Sequence, residues 1–277
     1  MVFTAGEKFS AEIELAQFGA HDLAGPVAWR VRDAAGQTIA DGKLGVGGML
    51  RAGELIQVGR VELPLADGPA RKLILEVSVA GTDARNARDF WVYPARPELG
   101  VPADVRVVTT LDPAAEAHLR AGGKVLWLAP ADRLQVDPHY GPVKLGFSSI
   151  FWNTAWTSGQ APHTLGILCD PKHAALADFP TEFHSNWQWW ELVHDAAPFI
   201  VTPQRALRPI VQIVDDWVTA RKLALVFEAK VGVGKLVACS ADLSSDLERR
   251  PVARQLRASL LRYMEGGAFA PTTAMSL

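Results

Sequence analysis

The stretch from Gly146 to Glu191 concentrates the side chains best suited to recognition chemistry, with five of the chain's nine tryptophans and three of its seven histidines. Trp152, Trp156, Trp187, Trp189 and Trp190 offer flat apolar faces, while Asn153, Gln160, Asn186 and Gln188 offer amides that both donate and accept hydrogen bonds. Pyranose rings carry C–H faces that stack on indoles and rim hydroxyls that need planar amide or carboxylate partners. On that chemistry the candidate carbohydrate-binding or interface residues are Trp152, Asn153, Trp156, Gln160, His163, Glu182, His184, Asn186, Trp187, Trp189 and Trp190. The same rings would serve equally as core or as a docking face for another domain. Three tryptophans within Trp187–Trp190 cannot all face one way on a strand or a helix, so at least one is expected to be structural.

Other chemistries find weaker footing. Gly146-Phe147-Ser148-Ser149-Ile150 begins like a G-x-S-x-G nucleophile elbow but lacks the second glycine. Cys169 and Cys239 each end an apolar run, the setting of a buried reduced thiol, although one disulfide between them stays open. Glu182, Glu191, Asp215, Asp216 and Glu228 are carboxylates for which ion pairing or capping is the expected role. His163, His173 and His184 have no short helical spacing and there is no C-x-x-C, so neither a metal nor another cofactor is expected. No catalytic residue is assigned, and an independent hydrolase using Ser148 or Cys169 with a histidine is the least favoured reading.

Composition narrows the partners. With 28 basic and 30 acidic residues, a net charge of −2 supplies no field for phosphate backbones or anionic membranes, so neither is an expected partner. No run approaches the roughly 18 apolar residues of a membrane span. Residues 1–19 lack the basic and apolar regions of an export signal, so the chain is expected to be soluble, with its compartment open.

The elements that must position these side chains fall into two halves. Phe9–Leu15, Val27–Arg32, Leu55–Leu63 and Leu73–Val79 alternate apolar with polar residues between turn signals such as Ala66-Asp67-Gly68-Pro69. That pattern predicts an antiparallel, immunoglobulin-like β-sandwich over 1–95, with Trp29 in its core and a scaffold role. Pro94, Pro97 and Pro102 mark a linker over 96–102.

Beyond it, Asp104–Thr109 reads as a strand, and Asp112-Pro113 opens a helix that Gly122-Gly123 closes. Lys124–Ala129 is a nearly continuous apolar run, so the order is strand, helix, strand. Leu223–Glu228 and Lys235–Ser240 flank a glycine-containing turn as a hairpin, and Arg250–Tyr263 carries an amphipathic stripe. These features predict an open α/β sheet over 103–266, interrupted by the aromatic stretch as a long insertion, and a flexible tail over 267–277.

Phe151–Trp156, Gln160–Gly166, Phe179–Trp190, Pro209–Trp217 and Gly234–Leu243 together resemble the C-terminal region of certain bacterial glycoside hydrolase family 2 proteins, which are β-galactosidase-like or β-glucuronidase-like. The segment Asp89–Pro94 is similar to the end of an immunoglobulin-like domain of those proteins. The resemblance implies that the second half is a flavodoxin-like, glutamine-amidotransferase-like domain. It supplies no catalysis, because that family's acid/base and nucleophile glutamates sit on a (β/α)₈ barrel of roughly 250 residues, for which this chain has no room. Neither cysteine has the G-x-C-x-G setting of an amidotransferase nucleophile. The expected function is that of a non-catalytic accessory region, positioning or oligomerising the parent's catalytic domain and contacting carbohydrate through the aromatic stretch. A stand-alone carbohydrate-binding protein is the alternative.

Overall fold

The structure, a computed structural model, describes all residues except 46–47, 97–99, 135, 140, 150–155 and 277. The chain divides into two compact units, Met1–Arg96 and Pro97–Leu277.

The N-terminal unit is all-β. Its strands are β1 (Val2–Thr4), β2 (Lys8–Gln17), β3 (Val27–Asp33), β4 (Thr38–Leu44), β5 (Glu54–Pro64), β6 (Arg71–Val79) and β7 (Arg85–Tyr93). Five form one sheet in the order β1-β7-β6-β3-β4, and β2 pairs with β5 in a separate two-stranded sheet. Period-2 alternation sends Phe9, Val31, Val61, Leu73 and Phe90 into a shared core. There Phe9 and Phe90 stack at 4.3 Å and Phe3 meets both edge-on. Trp29 is only partly buried: it packs at the margin of that core, across from Gly42, where a β-carbon would stand 2.9 Å from the indole.

In the C-terminal unit β8 (Val105–Val108), α1 (Pro113–Arg120) and β9 (Lys124–Leu128) form a strand–helix–strand unit with parallel β8 and β9. Asp112 caps α1 by accepting from the Ala115 amide at 2.8 Å, and Pro113 occupies the first turn. The remaining elements are β10 (Thr164–Cys169), α2 (Trp187–Val193), β11 (Phe199–Ile200), β12 (Val211–Asp215), β13 (Leu223–Val231), β14 (Gly234–Cys239) and α3 (Pro251–Glu265). The sheet runs β10-β12-β13-β14-β9-β8, with β11 beside β13.

This arrangement corrects the expected flavodoxin-like α/β open sheet. Only β8, β9 and β14 run parallel, and β10, β11, β12, β13 and β14 meet antiparallel. Across the whole chain three α-helices serve fourteen strands among the described residues, so the protein is mostly β, and this unit sets its three helices against seven strands. Antiparallel neighbours need no crossover helix, and β13 turns into β14 through Gly232-Val233 alone. The expected hairpin is present in β13 and β14, and what misled was the apolar run of β9, since burial of both faces says nothing about the direction of the other neighbours.

Two further expectations change. The aromatic stretch is no insertion, since it contributes β10, which pairs with β12, and also α2. The segment 267–277 is not a free tail: Phe269 is fully buried against Tyr263, and Lys230 exchanges backbone hydrogen bonds with Thr273 and Met275 at 2.8 and 2.9 Å.

Close approach of β14 to α1 depends on Gly234, where a β-carbon would lie 2.3 Å from the Leu119 carbonyl oxygen. Because the obstacle is backbone, Gly234→Ala is expected to cost about 1–3 kcal/mol, read as a lower urea midpoint at unchanged slope. An unchanged midpoint would show that the helix can move away freely.

Candidate functional site

The aromatic side chains separate into a buried and an exposed set. Helix α2 is capped by Asn186, whose Oδ1 accepts from the Gln188 amide at 3.2 Å and whose Nδ2 donates to the Glu182 carboxylate. Along α2, Trp189 is fully buried, edge-on to Phe179, and its indole N–H donates to the Thr181 hydroxyl at 2.8 Å. Gln188 is buried and donates to the Pro180 carbonyl at 3.0 Å. Trp187, at 75% exposure, and Trp190, at 46%, remain outside. Trp190 rests between Phe147, edge-on at 5.7 Å, and a parallel His194 ring at 6.0 Å.

A second aromatic surface joins Trp156 to Trp217. Their rings stand at 88° with centroids 5.8 Å apart, and they are 64% and 54% exposed. Trp217 follows β12 in a turn held by Asp216, whose Oδ1 accepts the Val218 and Thr219 amides at 2.8 Å. After the turn, Arg221 clamps Asp215 through Nε–Oδ2 at 2.8 Å and Nη2–Oδ1 at 2.9 Å, and reaches Asp137 at 3.3 Å. Burial works against the guanidinium charge, but the hydrogen bonds and charges of Asp215 and Asp137 outweigh it and hold its pKa above the ordinary value.

The other candidates are mostly structural. His163 accepts the Lys144 amide at Nδ1, 3.1 Å away, which leaves Nε2–H to donate to the Gly159 carbonyl at 3.2 Å. His184 is exposed, edge-on to Phe183. Gln160 is exposed in the turn after Trp156 and apart from α2 in sequence, with its amide on the Thr157 carbonyl. Trp152 and Asn153 lie outside the described residues. Sequence reasoning quoted Trp217 in a motif without nominating it, and the available signal was an Asp-Asp pair placing an Asx turn directly at the ring.

The groups considered for hydrolysis are otherwise engaged. Ser148 donates its hydroxyl to the Thr164 carbonyl at 2.9 Å. Glu228 accepts from the Tyr263 hydroxyl at 2.6 Å, and Glu191 lies 3.4 Å from the Arg250 Nε. Both cysteines are free thiols, and burial pushes Cys169 up to about 11 and Cys239 up to about 12. Among the described residues no group of three His, Cys, Asp or Glu side chains could hold a metal, and no helix is long and apolar enough to cross a membrane.

Two outcomes follow from these environments. Removing the Arg221 side chain strands Asp215 and Asp137 without their cation, so Arg221→Ala is expected to lose about 3–5 kcal/mol in chemical denaturation. A loss below 1 kcal/mol would show that water can replace the guanidinium. Both thiols stay protonated at neutral pH, so iodoacetamide should alkylate them at pH 7 only after denaturant is added. Fast labelling of the folded chain would contradict the burial described.

Comparison with known proteins adds family membership. The description "Domain of unknown function (DUF8488)" matches residues 7–94, and "Domain of unknown function (DUF8487)" matches 106–277. No curated protein matches. Among solved structures, an alkylpurine DNA glycosylase from Pseudomonas fluorescens bound to DNA is 20% identical, over 33% of this chain and 27% of that one, with a TM-score of 0.27. A family 123 glycoside hydrolase from Clostridium perfringens is 9% identical over 46% of this chain and 32% of that one, at a TM-score of 0.23. The chain thus spans about a third or less of their length, and TM-scores this low assign no fold. Since the second family description covers more than half of its residues, the chain belongs to the family Domain of unknown function (DUF8487).

Proposed function

We propose that this chain is a non-catalytic accessory region of a carbohydrate-active enzyme resembling glycoside hydrolase family 2, working beside that enzyme's catalytic domain. Its sugar contact is the corner formed by Trp156 and Trp217. The observation that carries this reading is the pair of perpendicular, solvent-exposed indoles, one of them in the turn between Asp215 and Arg221. One ring can stack under the C–H face of a pyranose while the other closes its edge. Val218 beside them is also exposed, so the patch is apolar and continuous in sequence with the turn that presents it. The buried thiols and the donated Ser148 hydroxyl support a binding role over a nucleophilic one.

Titration calorimetry of the full chain with β-linked galactosyl and glucuronosyl oligosaccharides tests this. Binding should be measurable in the wild type and weaker by at least tenfold in Trp156→Ala and Trp217→Ala, with Trp189→Phe affecting stability instead. Absence of binding to every oligosaccharide, or binding indifferent to both exposed tryptophans, would sink the proposal.

A further inference from the structure

The N-terminal unit has an open side. Strand β2 pairs with β5 along its whole length, Lys8 to Gln17, but among the described residues no backbone hydrogen bond leaves its other edge between Lys8 and Ala16. Strand β7 is similarly incomplete, because β1 covers only Trp91–Tyr93 and leaves Arg85–Asp89 unpaired on that side. The two free edges flank a cleft of about 490 Å³ floored by Ile13, Leu15, Val27, Val58, Leu75 and Val77. Incomplete cover shows in the burial: Phe9, at the end that β1 closes, is buried, whereas Ala11, Ile13 and Leu15 further along the same inward face are only half-buried.

The polar groups at the mouth define what would fill it. Leu73, Leu75 and Val77 face Phe90, Arg88 and Asn86 across the β6–β7 ladder, so Arg88 and Asn86 hold inward-facing positions that an apolar residue takes at the closed end. Arg88 bonds only to the neighbouring Ala87 carbonyl, at 3.2 Å, and Arg85 has no side-chain hydrogen bond or ion pair among the described residues. The acids of the opposite rim are already used, Glu12 on Arg60 and Glu14 on the Gln57 amide. A neutral amide leaves the Glu14 charge in place, but Arg85 and Arg88 outnumber it, so the balance of charge outside ion pairs at the cleft is positive.

We infer that this cleft docks an extended peptide strand of a partner protein, which adds to the free edge of β2 and sets an inward-facing carboxylate against Arg88. Main-chain pairing along a long free edge supplies affinity, and alternate side chains supply specificity. The inward face of the peptide is apolar on either side of the carboxylate, to cover Ile13 and Leu15. Its outward face is neutral or basic, because outward acids would stand beside Glu12 and Glu14. The same acids argue against a second copy of this chain, since antiparallel pairing of two β2 edges would bring Glu12 and Glu14 together.

The probe is a fluorescein-labelled nine-residue peptide of alternating valine and threonine with glutamate at the central inward position, compared with the same peptide carrying lysine there. Fluorescence anisotropy with the full chain should show the glutamate peptide binding at least tenfold more tightly. Arg88→Glu should reverse that preference, which also shows that the variant is folded. Hydrogen exchange should slow at the β2 amides between Ser10 and Ala16 when the glutamate peptide is bound. No binding, equal binding of both peptides, an unreversed preference, or protection elsewhere than β2 would overturn the inference. Concentration-dependent dimerisation that protects β2 without peptide would also overturn it, in favour of a second copy.

Discussion

Because β13 and β14 are buried on both faces through most of their length, the segments around them have to supply cover, and the C-terminal unit is largely the result. Helix α1 packs on β9 and β14, with Leu119, Val125, Val231 and Leu236 in one cluster. Phe199, Val201, Leu207 and Phe227 form another around Ala224 and Ala238. Small residues recur at these contacts because strands enclosed on both sides leave little room for bulk. The end of the chain joins the same task, with Phe269 buried and Met275 packed at the margin of both clusters. Burial of this kind is worth roughly 1.5–3 kcal/mol for each large apolar side chain, which explains why a terminus without helix or strand is held down at all.

The tryptophan-rich helix divides its rings by the same demand for cover. Successive residues of a helix are rotated by about 100°, so Trp187 and Trp190 lie on one side and Trp189 on the other. The core takes Trp189, with its N–H satisfied by Thr181, and the other two rings are left outside. That one of the three must be structural was legible from spacing alone. Which one required knowing that the segment is helical, and aromatic residues with modest helix propensity hid that.

Legibility elsewhere follows the range of the interaction. Asp112-Pro113 announced α1 and the turn at Gly232 announced the β13–β14 hairpin, since capping and tight turns are local. The direction of the remaining strands, β10 to β12, was not legible, because an apolar run reads the same whether its neighbour is parallel or antiparallel. The role of 267–277 was hidden for a related reason: Phe269 and Met275 are isolated apolar residues, and Met275 packs on clusters far away in the chain. Trp217 was visible in sequence but unremarkable until folding set it against Trp156.

The two surfaces identified here differ in what they have left to offer a ligand. Around Trp156 and Trp217 the carboxylates are engaged, Asp215 by Arg221 and Asp216 by its own turn, so the exposed indole faces are what the surface presents. Recognition there rests on stacking, which is short-ranged and barely screened by salt. At the cleft of the N-terminal unit the reverse holds: Glu12 is ion-paired but Arg85 and Arg88 are not, so recognition there carries a charge term that weakens as ionic strength rises. Raising salt should therefore separate the two, leaving any contact at the tryptophans largely intact while loosening contact at the arginines. The contrast comes from which polar side chains folding has already consumed.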